Sequence, residues 1–170
     1  MPLKKLKIGV SACLLGMRFR YDGKCKLDQR VVDMLLDKVD FIPVCPEVEC
    51  GLPIPRPKMH LEHSSGGTRL KVTEDGRDLT LTMEQWAEGK LDQIERRDFA
   101  AFLCKSKSPS CALKSAALLD SRGQLIRHDA AGIFVKLLKR RFPKMLIAEE
   151  TELEDFVKHL NLDIFTGEKQ

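Results

Sequence analysis

Cys13, Cys45 and Cys111 are the residues whose type and placement most clearly suggest chemistry. They stand far apart in a chain of 170 residues, yet each comes at or just beyond the end of a short apolar run: Lys7 to Cys13, Asp40 to Cys45, and Phe99 to Cys104 followed by the loop Lys105 to Cys111. If the runs are buried strands of one parallel sheet, the three thiols converge on one edge. Thiolates select soft metals. Zinc ribbons carry closely spaced pairs such as C-x-x-C, and this sequence has none. Three thiols without an obvious fourth suit a cubane iron–sulfur cluster, in which each cysteine holds one iron and the fourth iron stays open to a substrate. The spacing fits buried structural cysteines equally well, because free cysteine packs as a small hydrophobe. Cys104, inside its run, reads as core. Cys25 and Cys50 fall in nearby loops, and Cys50 is an alternative or fourth ligand.

Polar groups share these loops. Glu47 follows Cys45 by two residues and is placed to act as general acid or base; a solvated loop glutamate is the plain alternative. Ser106, Ser108 and Ser110, with Lys105 and Lys107, offer donors near Cys111 that could tune a cluster or hold a substrate oxygen, and they also suit an ordinary turn. Arg20, Tyr21, Asp22 and Arg56 occupy the other two loops, where an arginine could bind a phosphate or a planar ring. His60 and His63 have the spacing of a ligand pair but lie in a segment without clear periodicity.

These residues need a scaffold, and the chain is long enough to bury a proper core as a single domain. With 43% hydrophobic and 32% charged residues it matches neither a disordered nor a membrane protein. No stretch approaches the ~20 apolar residues of a membrane helix, and the basic start lacks a signal-peptide core, so the expected location is the cytoplasm. There, six cysteines argue for packing, metal or catalysis rather than disulfides. A net charge of +4 does not by itself imply nucleic acid, although basic residues crowd Lys136 to Lys144.

Between the apolar runs the pattern turns helical. Val31, Val32, Leu35 and Leu36 predict a helix within Leu27 to Lys38, with Asp28 near its start. Gly51 to Pro57 is proline-rich and predicts a rigid loop. Asp75-Gly76 predicts a small hairpin, or a strand with a turn, between Leu70 to Val72 and Asp78 to Leu81, and Thr82 an N-cap for a helix from about Met83 to Arg97. A second hairpin is expected across Ser121 to Gly123, then a helix at Ala131 to Arg141, a strand at Met145 to Ala148, and a last helix capped by Thr151. A domain spanning residues 1–165 with a frayed tail at Thr166 to Gln170 follows. The alternation of strand and helix argues for an α/β fold with a mostly parallel sheet flanked by helices and functional loops at its carboxyl edge.

Several ordered motifs carry a family resemblance: Val10 to Gly16, Arg20-Tyr-Asp-Gly23, Val44-Cys-Pro-Glu-Val48, Gly51 to Pro57, Gly76 to Thr80 and Lys105 to Cys111. Together, over roughly Ile8 to Glu149, they resemble the thiouracil desulfidase (TudS-like) family. The resemblance implies a Rossmann-like domain holding a [4Fe-4S] cluster through Cys13, Cys45 and Cys111. It also implies a non-redox reaction in which a thiolated uracil, as 2- or 4-thiouracil or as thiouridine in tRNA, loses its sulfur and gains oxygen from water. By residue match Glu47 is the acid/base and Ser106 the assisting hydroxyl, with Arg20, Asp22, Arg56 and Ser108 expected around the substrate. The chain departs from the family pattern at Cys50 and Ala112, where glycine is usual. Two other classes stay open: a non-catalytic thiol module, for example tetrahedral zinc with Cys50 as fourth ligand or a redox sensor, and an RNA-binding adaptor held by the basic run.

Overall fold

A computed structural model of the chain describes residues 4–162, so the expected tail at Thr166 to Gln170 lies outside the described residues. The first strand, β1 (Leu6–Ser11), is built from residues that alternate between two cores. Ile8 and Val10 face one side, and Gly9 faces the other, where a Cβ would lie 2.3 Å from the Phe102 ring. Only glycine leaves room for that ring. From β1 the chain runs through α1 (Gln29–Leu35), whose Asp28 cap accepts the Arg30 N–H, to β2 (Val39–Val44) and the short α2 (Pro46–Glu49).

Next come β3 (Met59–Ser64), β4 (Gly67–Val72), α3 (Thr80–Arg97), β5 (Ala101–Cys104), β6 (Ala116–Leu119), β7 (Leu125–Ala130), α4 (Ile133–Arg141), β8 (Leu146–Glu149) and α5 (Leu153–His159). The expected single, mostly parallel sheet is in fact divided. One four-stranded sheet, ordered β2-β1-β5-β8, is parallel throughout. The other, β4-β3-β6-β7, is mixed, with β3 and β6 parallel and both outer pairs antiparallel. The α/β class holds, and helices lie on both faces of the parallel sheet. Val31, Leu35, Leu153 and Phe156 from α1 and α5 cover one face. On the other, Phe102 meets Phe134 of α4 edge-on at 5.8 Å, in a core shared with α3 and the second sheet.

Some local expectations shift. Across Asp75-Gly76 the structure has a strand with a turn, β4 followed by an isolated bridge of Lys71 to Asp78, and the full hairpin is formed by β3 and β4. The reason is Thr80: its hydroxyl accepts the Leu70 N–H at 2.8 Å and its own N–H donates to Asp78 at 2.9 Å, so α3 starts there and Thr82 lies inside it. Thr151 does not cap α5 but sits in a tight turn over Glu150–Glu152. No helix among the described residues is long and apolar enough to cross a membrane.

Candidate metal centre

The order of the parallel sheet decides where a site can form. The chain moves from β1 outward to β2, then crosses back to place β5 on β1's other side, so the connections diverge above β1 and β5 and open a crevice at their carboxyl ends. Cys13 enters this crevice in the single turn Ala12–Leu15 directly after β1. Cys45 is the residue between β2 and α2, its N–H donating to Glu49 at 2.8 Å. Cys111 comes from the long loop after β5. All three line one cavity of about 790 Å³. Its other lining groups include Arg20, Lys26, Arg56, Lys58, Lys105 and Lys107, with Glu47 the single carboxylate among the described lining residues, a field suited to negative charge.

The thiols sense one another. Burial first, and then the neighbouring Cys45, push the Cys13 thiol up to about 11. Burial, followed by Cys45 and Cys13, holds the Cys111 thiol far above its ordinary value, with a hydrogen bond from Ser11 pulling the other way. Burial also raises Cys45. Three thiols gathered in a desolvated, cation-lined pocket have no reason to ionise alone, and a soft metal group would supply one. Among the described residues no three His, Cys, Asp or Glu side chains converge tightly enough to hold a single metal ion. A cubane asks for something wider, since each thiolate bonds its own iron. Three thiolates suit a cluster with one iron left open, and a tetrahedral zinc arrangement would need a fourth ligand. Cys50, the fourth ligand that arrangement needs, does not line the cavity; its thiol lies 3.3 Å from the Glu47 carbonyl, and its side chain packs on the core. Cys104 is buried against the Ala148 carbonyl, and Cys25 does not line the cavity.

The loop that carries Cys111 is fastened along its length. Two consecutive glutamates at the end of β8 hold its ends. Glu149 Oε1 accepts from the Leu113 and Lys114 N–H groups and from Ser115 Oγ, at 2.9, 3.0 and 2.7 Å. Glu150 accepts from Ser106 and Lys105. At its centre, the N-terminal N–H groups of α4 reach into the loop: Ile133 donates to the Pro109 carbonyl and Phe134 to the Ser110 carbonyl, both at 3.1 Å. Gly132 makes this possible, for a Cβ there would stand 2.4 Å from the Ser110 carbonyl carbon and 2.7 Å from the Cys111 nitrogen.

The polar residues divide into two networks. Glu47, on α2 rather than in an open loop, is gripped by Arg56, whose Nε lies 2.8 Å away, and Ser110 Oγ donates to its other oxygen at 3.0 Å. Arg56 is buried and also donates to the carbonyls of Phe19 and Pro53, so it ties α2 to the two loops beside it. Ser108 receives the Cys111 N–H at 3.0 Å. Ser106 belongs to the second network, with Lys105 and Glu150. Arg20 lines the cavity; Asp22 does not, and instead accepts the Lys24 N–H of its own turn at 3.0 Å. Three residues were hidden from sequence reasoning in different ways. Ser110 was in view as one of three serines, but only the fold shows that it is the one touching Glu47. Glu149 and Glu150 carry no local signal, because their partners lie some 35 to 45 residues away in sequence. His60 lines the cavity from β3, with its Nδ1 3.0 Å from Thr73 Oγ1. The basic run points elsewhere: Lys139, Arg140 and Arg141 fall at the end of α4 remote from Cys111, roughly 12 Å down the helix at its usual rise, and Arg141 pairs with Asp92 and Glu95 of α3.

Comparison with known proteins agrees with this geometry. A family model described as 2-thiouracil desulfurase matches residues 8–150. A solved structure described as a [4Fe-4S]-dependent thiouracil desulfidase, TudS, superposes with a TM-score of 0.72 at 33% identity, covering 93% of this chain and 99% of that one. The uncharacterized protein YbbK of Bacillus subtilis is 27% identical over 153 residues, which are 87% of this chain and 98% of YbbK.

Proposed function

Because the chain belongs to the 2-thiouracil desulfurase family, we propose that it is a [4Fe-4S]-dependent desulfidase that converts a thiolated uracil and water into uracil and sulfide. The observation that carries this reading is the cavity in which Cys13, Cys45 and Cys111 meet beside Glu47. These cysteines are the residues that would hold the cluster. When bound, the cluster supplies a Lewis-acidic iron with affinity for the soft thione sulfur, which makes the carbon bearing it more electrophilic.

The chain's own groups handle water and protons. Glu47 is an ion-paired carboxylate whose direction is fixed from both sides, by Arg56 on one oxygen and Ser110 on the other. It is oriented to take the proton of the water whose oxygen replaces sulfur, and to return a proton to the product. Oxygen bonds to the ring carbon as the carbon–sulfur bond breaks, and the sulfur leaves as sulfide, so no external electrons are required. Arg20, at the cavity wall, is available for the uracil carbonyl, and Ser108 shapes the turn that presents Cys111. Asp22 acts through its loop and its 3.6 Å ion pair with Arg20. The order of the parallel sheet supports a Rossmann-like description. A free thiouracil compound is favoured over thiouridine in tRNA, since Lys139, Arg140 and Arg141 close α4 at the end remote from Cys111.

Anaerobically prepared protein with a full cluster should turn over 2-thiouracil or 4-thiouracil to uracil and sulfide. Full cluster occupancy with no turnover of either compound would overturn the reading.

A further inference from the structure

Ser106 carries a hydroxyl proton with only one place to go. Its Oγ lies 2.7 Å from Glu150 Oε1 and 2.9 Å from Lys105 Nζ. An ammonium can only donate and a carboxylate can only accept, so the hydroxyl proton points to Glu150 and one lone pair is taken by Lys105. What remains on Oγ is the second lone pair, and Ser106 lines the cavity. Lys105 is fully committed as well: its three protons go to Ser106 Oγ, the Ser106 carbonyl at 3.0 Å, and Glu150. Glu150 completes the arrangement by taking the Ser106 N–H on its other oxygen at 2.7 Å. Burial alone would raise its pKa, but the hydrogen bonds from Lys105 and Ser106 outweigh that and hold it below the usual value, keeping it anionic and an obligate acceptor.

We infer that Glu150 is a positioning residue that fixes Ser106 as a hydrogen-bond acceptor toward the cavity, where Ser106 receives a ring N–H of the pyrimidine. This rests on the desulfidase reading and deepens it, because a serine held this way cannot protonate the departing sulfide. Glu150 does not itself line the cavity; it acts from behind, through Ser106. Proton delivery to sulfur then falls to Glu47 or to solvent.

The test measures binding of uracil, 1-methyluracil and 3-methyluracil to the cluster-loaded protein, in wild type, Ser106→Ala and Glu150→Gln, with iron content recorded for each. An amide has one accepting oxygen and a donating NH2 in place of the second, so Glu150→Gln releases the fixed direction of the hydroxyl at nearly constant volume. On wild type, one of the two methylated bases should bind about 10-fold more weakly than uracil, the size of one lost hydrogen bond. That gap should close in both variants while iron per chain stays at the wild-type level. A double-mutant cycle on kcat/KM supplies a second readout. Glu150→Gln should cost roughly 30-fold alone but less than about 3-fold in the Ser106→Ala background, since the two act as one unit. Equal affinity of wild type for all three bases, a gap that persists in Ser106→Ala, or additive effects in the cycle would overturn the inference. If wild type turns over thiouracil and one of these results is obtained, only the Ser106–Glu150 assignment fails. If loaded wild type neither binds uracil nor turns over thiouracil, the desulfidase reading fails and this inference with it.

Discussion

Cys13 and Cys45 reach the cavity within two residues of the ends of β1 and β2, whereas Cys111 arrives from the middle of the loop that connects β5 to β6. The first two inherit their positions from the ladder that joins β1 to β2 over six residue pairs. A cysteine at a strand end needs little else. Cys111 has no such ladder, and its place depends on groups far away in sequence: Glu149 at the end of the loop that follows it, and Gly132 with the first N–H groups of α4 at its centre. Backbone pairing positions one side of the metal centre, and buried polar contacts position the other. Damage to those contacts should therefore release Cys111 while leaving the sheet, Cys13 and Cys45 in order.

The strongest way to expose the difference is Gly132→Ala. Its Cβ would press on the backbone of Ser110 and Cys111, which cannot rotate away as a side chain can. Iron retained per chain should fall at least about 10-fold with far-ultraviolet circular dichroism unchanged, a local loss rather than an unfolding. Iron at the wild-type level would mean that the loop does not depend on this seat.

Glu149→Ala comes next. It leaves three partly buried donors without their acceptor and should cost about 3 kcal/mol in denaturant unfolding, with clear loss of iron. The matching change on the strand side is Glu49→Ala, which removes the acceptor of the Cys45 N–H. Being more exposed, it should cost about 1 kcal/mol and leave iron content intact. Equal effects of the two would erase the distinction.

A smaller effect is expected from pH on the metal-free form. The Cys13 thiol holds its proton more tightly folded than unfolded, with a value raised from 9.0 to about 11. Between these values the unfolded chain binds fewer protons, so stability is full below about pH 9 and declines as pH rises toward 11. The melting temperature of metal-free protein should drop across that window and that of Cys13→Ser should drop less. The smallest effect belongs to Cys50→Ala, which should leave iron content unchanged because that thiol lies outside the cavity.

The same division governs what the sequence made legible. Short apolar runs ending in cysteine are local patterns, and they identified β1, β2 and β5 together with the convergence of Cys13, Cys45 and Cys111. Glu47 was legible because it travels with Cys45. Half of the second sheet was legible too, since the hairpin expected across Ser121 to Gly123 is the β6–β7 pair, whereas the β3–β4 pairing was not, because Met59 to Ser64 carries no strong strand pattern. Arg56 was expected around the substrate; it lines the cavity, and only the fold shows that its guanidinium also holds Glu47. The roles of Ser106 and Ser110 likewise separate only once Glu150 and Glu47 are brought beside them from distant parts of the chain.

The central claim is that Cys13, Cys45 and Cys111 together hold one cluster. Its most direct test is the iron and acid-labile sulfide content of anaerobically purified protein, compared among wild type, Cys13→Ser, Cys45→Ser, Cys111→Ser and Cys50→Ser. Wild type and Cys50→Ser should each carry about four irons and four sulfides per chain, as a [4Fe-4S] cluster requires, and the other three should lose most of both. Iron in Cys111→Ser equal to that of wild type would contradict the account.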